Sequence, residues 1–361
     1  MLDSALKVLN IITSHGFKAY IVGGFVRDYI LGIKGDDIDI ATSATPREVM
    51  SLFKNTVLPK EQYGSVTLYF KNYRFEITTF RKEIRYLNNR KPVEIEYIDD
   101  LLEDLKRRDF KMNTLCMDKD GNIIDLLGGK CDIENKVINT VLDADFKFEQ
   151  DSLRIMRAVR FATILNFDLN KDVKSAIIRH KSSLKSLSYE RKKEELDKIF
   201  ISQNFKRGIS LIKELKLDTE LDIYNLEKIE SCRDLLGIWS VIDLKNNYPF
   251  RKNEREIIEK IRSVTNSKVD DYSLYKYGLY INQVACELLG LDKQEYTLKY
   301  EKLPIKTRRD IDITSLEIMD IVDVSSTSLK EVYNSIEREI ISLNIENKNT
   351  EIKKYLKEKY K

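Results

Sequence analysis

The run Ala19-Tyr20-Ile21-Val22-Gly23-Gly24-Phe25-Val26-Arg27-Asp28-Tyr29-Ile30-Leu31, followed closely by Asp36-Asp37-Ile38-Asp39-Ile40-Ala41, decides how this sequence folds. Ala19–Val22 is a short apolar run of β type, the glycine pair breaks it, and residues 25–31 read as the start of a helix. Upstream, Leu2–Ser14 has helical periodicity and stops at Gly16. Residues 36–41 alternate acidic and apolar side chains, the period of a strand with one buried face. Further strands are expected at Ser65–Phe70, 74–79 and 93–97, so the chain to about residue 135 reads as a sheet-plus-helix domain.

The remainder has a different grain. Nine of the 13 glycines fall at or before Gly129, and no proline interrupts residues 93–248. Too few turn residues remain for an all-β fold, and from Phe148 onward amphipathic helix follows amphipathic helix. Breaks are expected near 166–170, Gly208, 246–249, 263–271, Gly290 and Pro304. At 361 residues, two or more domains are the default.

Net charge is only +3, which by itself does not suggest nucleic acid. Residues 151–217, however, hold 16 Lys/Arg against 8 Asp/Glu, a concentrated basic segment that is either a solvated helix face or a polyanion surface. The four cysteines form no CxxC pair and read as reduced thiols of a cytoplasmic protein. Two histidines make His-dependent hydrolysis and His-rich metal sites improbable, and no metal-phosphohydrolase module is expected. The N-terminus resembles neither a signal nor a transit peptide, and no apolar run approaches the length that spans a membrane.

Gly23 and Gly24 between strand and helix suit close backbone approach to a phosphate, with Arg27 one turn in as a charged partner, although a plain turn also explains a glycine pair. Residues two apart on a strand share a face, so Asp37 and Asp39 project together, roughly 6.6 Å apart at the backbone, while Ile38 and Ile40 face the core. Paired carboxylates of this kind can hold Mg²⁺ for phosphoryl or nucleotidyl transfer. Asp36 falls on the other face, and Glu76, alternating against Phe75 and Ile77, is a candidate third carboxylate from a neighbouring strand.

These segments, with Glu76-Ile77-Thr78-Thr79-Phe80-Arg81, Leu105-Lys106-Arg107-Arg108-Asp109-Phe110-Lys111-Met112-Asn113 and Asp151-Ser152-Leu153-Arg154-Ile155-Met156-Arg157-Ala158-Val159-Arg160-Phe161, resemble the class II tRNA nucleotidyltransferases, or CCA-adding enzymes, and the related bacterial poly(A) polymerases. The similarity is strong to about residue 165 and thin beyond it, with Leu303-Pro304-Ile305-Lys306-Thr307 a weaker echo. The resemblance implies an α+β fold: a nucleotidyltransferase head (1–135) of small mixed sheet and helices, then an all-helical neck (136–217), body (218–290) and tail (291–361). It implies Asp37 and Asp39 as catalytic Mg²⁺ ligands with Glu76 beside them, and Gly23, Gly24, Arg27, Arg108 and Asn113 at the nucleoside triphosphate. Arg107 and Asp109 would brace the turn.

It also makes Asp151 and Arg154 the base-reading pair. One helical turn apart, they present an acceptor beside a donor, which matches the pairing edges of cytosine and adenine and mismatches uracil and guanine. An i to i+3 ion pair is the alternative. Arg157 and Arg160, also expected at the nucleotide, turn progressively away from Asp151, and Arg160, half a turn away, fits a triphosphate or a bracing role better than the base edge. Gln150 stands where the family usually has Glu, which leaves open how Arg154 is oriented and whether base choice is relaxed. The loop at 80–92 has the length expected for A addition but is basic, with Lys82, Arg85, Asn88, Asn89 and Arg90.

The implied activity is template-independent addition of C, C and A to the tRNA 3′ end from CTP and ATP in the cytoplasm, with basic helices on the acceptor stem and no membrane partner. A homodimer is left open. An A-only enzyme or poly(A) polymerase is the nearest alternative, and a non-catalytic tRNA-binding factor the alternative of another class. A small-molecule nucleotidyltransferase would not need the basic helices.

Overall fold

The computed structural model describes residues 1–35, 37–60, 64–87, 91–229, 232–244, 248–323 and 328–360. Two compact units emerge, Met1–Asp222 and Ile223–Lys361. The unit boundary lies five residues past the expected neck–body boundary at 217, while the expected boundaries at 135 and 290 fall inside units.

The first unit begins with α1 (Leu2–Ser14), β1 (Ala19–Val22), α2 (Gly24–Ile30), β2 (Asp39–Thr42) and α3 (Pro46–Leu52). β3 (Thr56–Lys60), β4 (Ser65–Phe70), β5 (Tyr73–Thr79), β6 (Arg81–Leu87) and β7 (Lys91–Tyr97) follow, then α4 (Leu101–Lys106), β8 (Cys116–Met117), β9 (Ile123–Ile124) and α5 (Gly129–Glu134). Seven strands form one mixed sheet in the order β3-β4-β5-β2-β1-β8-β9, in which β2 and β5 run parallel and every other pair is antiparallel. β6 and β7 make a separate hairpin. Ile21, Ile40, Ile77 and Val66 lie level across four strands and are all buried. Strand period then sends Val22 and Ala41 to the other face, where Leu101, Leu105 and Phe80 cover them.

β10 (Val137–Ile138), α6 (Ala144–Gln150), α7 (Leu153–Ile164), β11 (Asp168–Leu169), α8 (Lys171–His180), α9 (Tyr189–Phe200), α10 (Phe205–Glu214) and α11 (Asp218–Leu221) complete the unit. This part is not purely helical, because β10 and β11 pair in parallel. It is stitched to the sheet domain by a bridge between Phe110 and Thr140 and by buried Lys147, whose Nζ donates to the Lys106 carbonyl at 2.6 Å. That bond caps the end of α4, where carbonyls lack helical partners.

The strand expected at 36–41 starts only at Asp39, so Asp37 and Ile38 precede it outside the strand, and Asp36 lies outside the described residues. Gly208 does not break a helix. It sits inside α10, where a Cβ would collide with Ile199 and Thr163, so glycine serves close helix packing there. α3 escaped the sequence reading although Pro46 and the Thr45/Glu48 capping box mark its start. The expected break at 246–249 lies partly outside the described residues.

The second unit contains β12 (Ile223–Tyr224), α12 (Leu235–Val241), β13 (Asp243–Leu244), α13 (Lys252–Asn266), α14 (Asp271–Leu289), α15 (Lys293–Glu301), α16 (Ser315–Met319), α17 (Leu329–Ile341) and α18 (Asn349–Lys359). Leu274, Ile318, Ile336, Ile340, Ile352 and Leu356 anchor one of its apolar clusters. Gly290, with φ 68°, terminates α14 as expected. Gly278, with φ 79°, kinks the same helix, and the fully buried Asn282 amide donates to the freed Gly278 carbonyl and to Ser273 O.

Candidate active site

β2 lies between β1 and β5, and the register sets Asp39 opposite Val22 on one side and Glu76 on the other. Asp37, Asp39 and Glu76 are exposed while Ile38 and Ile40 are fully buried, the alternation expected of carboxylates that share one face. Crowding among protein atoms raises the Asp39 pKa from 3.8 to about 6, with the Asp37 and Glu76 charges adding to the rise and Arg108 opposing it. Among the described residues no three His, Cys, Asp or Glu side chains close into a metal cage. Mg²⁺ does not require one: it commonly takes one or two carboxylates and completes its shell with water and substrate phosphate. The mutual repulsion around Asp39 is the kind that such a cation relieves, so the donor set fits.

A cavity of about 430 Å³ begins at Asp39 and runs past Gly23 and Gly24 to Asp151 and Arg154. Gly23 turns the chain at φ 83°, and a Cβ there would come within 3.2 Å of Arg108 Nη1, so side chains larger than hydrogen would press on that cation. Arg108 is hemmed in: burial, then the adjacent Arg107 charge, lowers its pKa against the pull of Asp104, and its buried Nε has no hydrogen-bond partner. Asp104, fully buried, accepts from Arg107 Nε at 2.9 Å and lies 3.7 Å from Arg108 Nη2. One buried carboxylate thus faces two guanidinium groups at the cleft's wall.

Arg27 and Asn113 also line the cavity but are engaged within the protein. Arg27 donates to both oxygens of Asp28, at 2.8 and 2.9 Å, and to Asn113 Oδ1 at 2.7 Å; Asn113 Nδ2 donates to Asp109 Oδ1 at 3.2 Å. Asp109 in turn accepts from Arg157 Nε at 2.6 Å. Burial alone would raise the Asp109 pKa, but the Arg157 charge and hydrogen bonds from Asn113, Arg157 and the Phe110 N–H hold it at about 2. Beneath this chain lies the Phe161 ring, 5.1 Å from Arg27, 5.4 Å from Arg157 and 4.4 Å from Arg160 at their guanidinium carbons.

At the cavity's other end, Asp151 is not on the helix of Arg154. It caps the end of α6 in extended conformation, and its Oδ1 accepts the Leu153 N–H at 3.0 Å at the start of α7. No ion pair joins it to Arg154. Arg154 is instead fixed from behind: Nη1 donates to Lys147 O and Gln150 Oε1, at 3.0 and 2.8 Å, and Nη2 donates to Arg107 O at 3.2 Å. Three of its five N–H donors are used, leaving two for a ligand. Gln150 is thus one of the groups that orient Arg154, because its neutral amide oxygen reaches the guanidinium.

Three of the expected site residues, Asp37, Glu76 and Arg160, do not line this cavity, and Arg160 is turned to another task. It pairs with buried Glu195 of α9 at 3.0 Å, a partner 35 residues away that no local pattern reveals. Conversely, Arg107, Phe161 and Arg191 line the cavity without having been assigned a ligand. Arg191, which helps hold down the Asp151 pKa against burial, belongs to the basic segment that suggested a polyanion surface, but its position beside Asp151 depends on how α9 packs against α7. Of the 80–92 loop, residues 88–90 lie outside the described residues.

A Poly A polymerase head domain model matches residues 19–139, an RNA and SrmB-binding site of polymerase A model matches 166–221, and a model of tRNA nucleotidyltransferase domain 2 matches 240–356. The chain is 35% identical to the CCA-adding enzyme of Ligilactobacillus salivarius over 95% of its own length and 93% of that protein's. The chain belongs to the CCA-adding enzyme family. It is 33% identical to the CCA-adding enzyme of Anoxybacillus flavithermus, covering 97% of this chain and 96% of that one. Its fold superposes with a TM-score of 0.80 on the Bacillus stearothermophilus CCA-adding enzyme in complex with CTP, at 27% identity, covering 99% of this chain and 97% of that one. As a CCA-adding enzyme relative along its whole length, the chain is a nucleotidyltransferase.

Proposed function

We propose that this CCA-adding family member extends the tRNA 3′ end with C, C and A, taking CMP and AMP from CTP and ATP and releasing pyrophosphate. The supporting observation is one continuous cavity lined by Asp39, by the Arg108 guanidinium whose Nε has no hydrogen-bond partner, and by Asp151 and Arg154, with the Asp37 and Glu76 charges near Asp39 but outside that lining. That is the order of parts a nucleoside triphosphate needs: reacting phosphate, trailing phosphates, base.

Asp37 and Asp39 hold Mg²⁺ in this reading, with Glu76 adjoining. The ion supplies charge neutralisation of the triphosphate and activation of the attacking 3′-hydroxyl. Arg108, unpaired at Nε and poorly compensated, takes phosphate oxygens, and Gly23 keeps the approach open. Arg27 and Asn113 shape this wall and touch phosphate or sugar only with N–H groups left over from their internal bonds. Arg157 holds the wall through Asp109, and Arg160 acts as a brace between α7 and α9. The unused oxygen of Asp151 accepts from the amino group of cytosine or adenine while a remaining N–H of Arg154 donates to the ring nitrogen; uracil and guanine would set carbonyl against carboxylate and N–H against N–H. The basic helices after α7 take the RNA backbone, and the reaction belongs to the cytoplasm.

Incubating the protein and Mg²⁺ with tRNA lacking its terminus and with single nucleotides tests this. CMP should be incorporated twice and AMP once thereafter; incorporation of neither would refute the proposal, and AMP alone or long A tails would move the chain to A-only addition. Asp39→Ala should lower incorporation at least about a thousandfold, since it removes half of the carboxylate pair. A non-catalytic RNA-binding role would leave no turnover to lose.

A further inference from the structure

Asp39, Arg107 and Arg108 line a second cavity as well, about 230 Å³, whose remaining polar walls are Glu76, Ser65, Thr78 and Arg81. Its floor follows from strand register. Glu76 and Thr78 are two apart on β5 and share a face; Asp39 lies level with Glu76, and Ser65 lies level with Thr78. Ser65 Oγ and Thr78 Oγ1 are 2.9 Å apart and share one hydrogen bond. Two hydroxyls carry two donors and four acceptor lone pairs, so the pair keeps one O–H donor and several lone pairs for something else.

The packing of the sheet does not require these hydroxyls. Both residues are half-buried in the cleft, on the face opposite buried Val66 and Ile77, where alanine or valine would serve a strand equally well. The cavity thus offers carboxylate acceptors, then a hydroxyl pair, then guanidinium groups. A ribose with vicinal hydroxyls and an adjoining phosphodiester has the matching groups, and a 2′-hydroxyl is both donor and acceptor.

Resting on the function proposed above, we infer that Ser65 and Thr78 bind the 2′-hydroxyl of the acceptor RNA's terminal ribose, with its 3′-hydroxyl at Asp39 and Glu76. The second cavity is then the place where the protein distinguishes an RNA end from a DNA end. These two residues are specificity determinants of the acceptor, distinct from those that read the incoming base.

The test compares tRNA lacking its terminus with the same tRNA carrying a 2′-deoxy sugar at its last nucleotide, and separately CTP with dCTP. The wild-type protein should show a KM about tenfold higher for the deoxy-ended RNA, the order expected when a ligand hydroxyl that satisfies polar groups of the site is removed. The double variant Ser65→Ala/Thr78→Val should bind both RNAs equally, within about twofold, while its preference for CTP over dCTP stays as in the wild type. Thr78→Ser, which keeps a hydroxyl, should retain the discrimination. A wild-type ratio near one, a double variant that still discriminates tenfold, or a change confined to the CTP/dCTP preference would each overturn the inference. If the double variant fails to fold, Ser65→Ala and Thr78→Val are measured singly: each should lose part of the discrimination, and a tenfold ratio kept by both would overturn the inference. Absence of CMP incorporation into the ribose-ended RNA would instead refute the underlying function, and the inference with it.

Discussion

At the scale of single residues, charge placement is governed by what each group is buried against. Asp39 and Asp109 both line the same cavity, yet one is raised to about 6 and the other is held at about 2. Asp39 has like charges beside it, whereas Asp109 has Arg157 and three hydrogen bonds. Asp109 is almost fully buried, so its depressed pKa is a stability contribution. With an unfolded value of 3.8, that contribution is complete above about pH 4, declines as pH falls through the folded value of about 2, and is absent below it. Asp109→Asn should therefore cost about 2 kcal/mol at pH 7, as a pKa depression of this size implies. The difference from wild type should shrink between about pH 4 and 2. Urea denaturation followed by circular dichroism across that range checks it; a pH-independent difference would show that Asp109 acts through shape alone. The carboxylates were legible in the sequence because a two-residue period is local. The Arg160–Glu195 pair was not, because its partner arrives from another helix.

Among elements, the junction of α6 and α7 matters most. The spacing of Asp151 and Arg154 suggests one helix, but the chain breaks at Asp151, and the break is what frees that carboxylate from the helical array while Leu153 N–H fixes one of its oxygens. Periodicity could not show this, since no proline or glycine marks the break. Arg154 draws its acceptors from the end of α6 and from Arg107, next to α4, so the group proposed to read the base is held by two elements at once. Gln150→Ala should remove one of the three anchors and raise misincorporation of UMP several-fold, while Gln150→Glu, which restores an acceptor with charge, should stay within about twofold of wild type or better. Single-nucleotide incorporation with UTP and GTP in place of CTP measures this. Equal fidelity in all three proteins would mean that the two backbone carbonyls suffice to orient Arg154.

Across the whole molecule, the uneven distribution of glycine and proline correctly separates a sheet-bearing third from a helical remainder, because turn residues are a direct trace of strand connections. The unit boundary was less legible: residues 136–222 are helical by composition yet join the sheet domain through the Phe110–Thr140 bridge and Lys147. Every residue lining the two cavities lies within Met1–Asp222. A fragment ending at Asp222 should therefore fold and bind CTP with a Kd within about fivefold of the full chain, as isothermal titration would show. A loss of CTP binding in a folded fragment would mean that the second unit completes the nucleotide site.

Asp39, Arg107 and Arg108 form a party wall between the two cavities. If the nucleotide and the RNA end occupy the cavities as proposed above, a residue joined to the RNA in the first cavity is, one cycle later, the terminus that must sit in the second. The travel per cycle is then set by the thickness of a few side chains, and growth of the RNA needs no track along the protein. The end that has just been made only has to step across the partition.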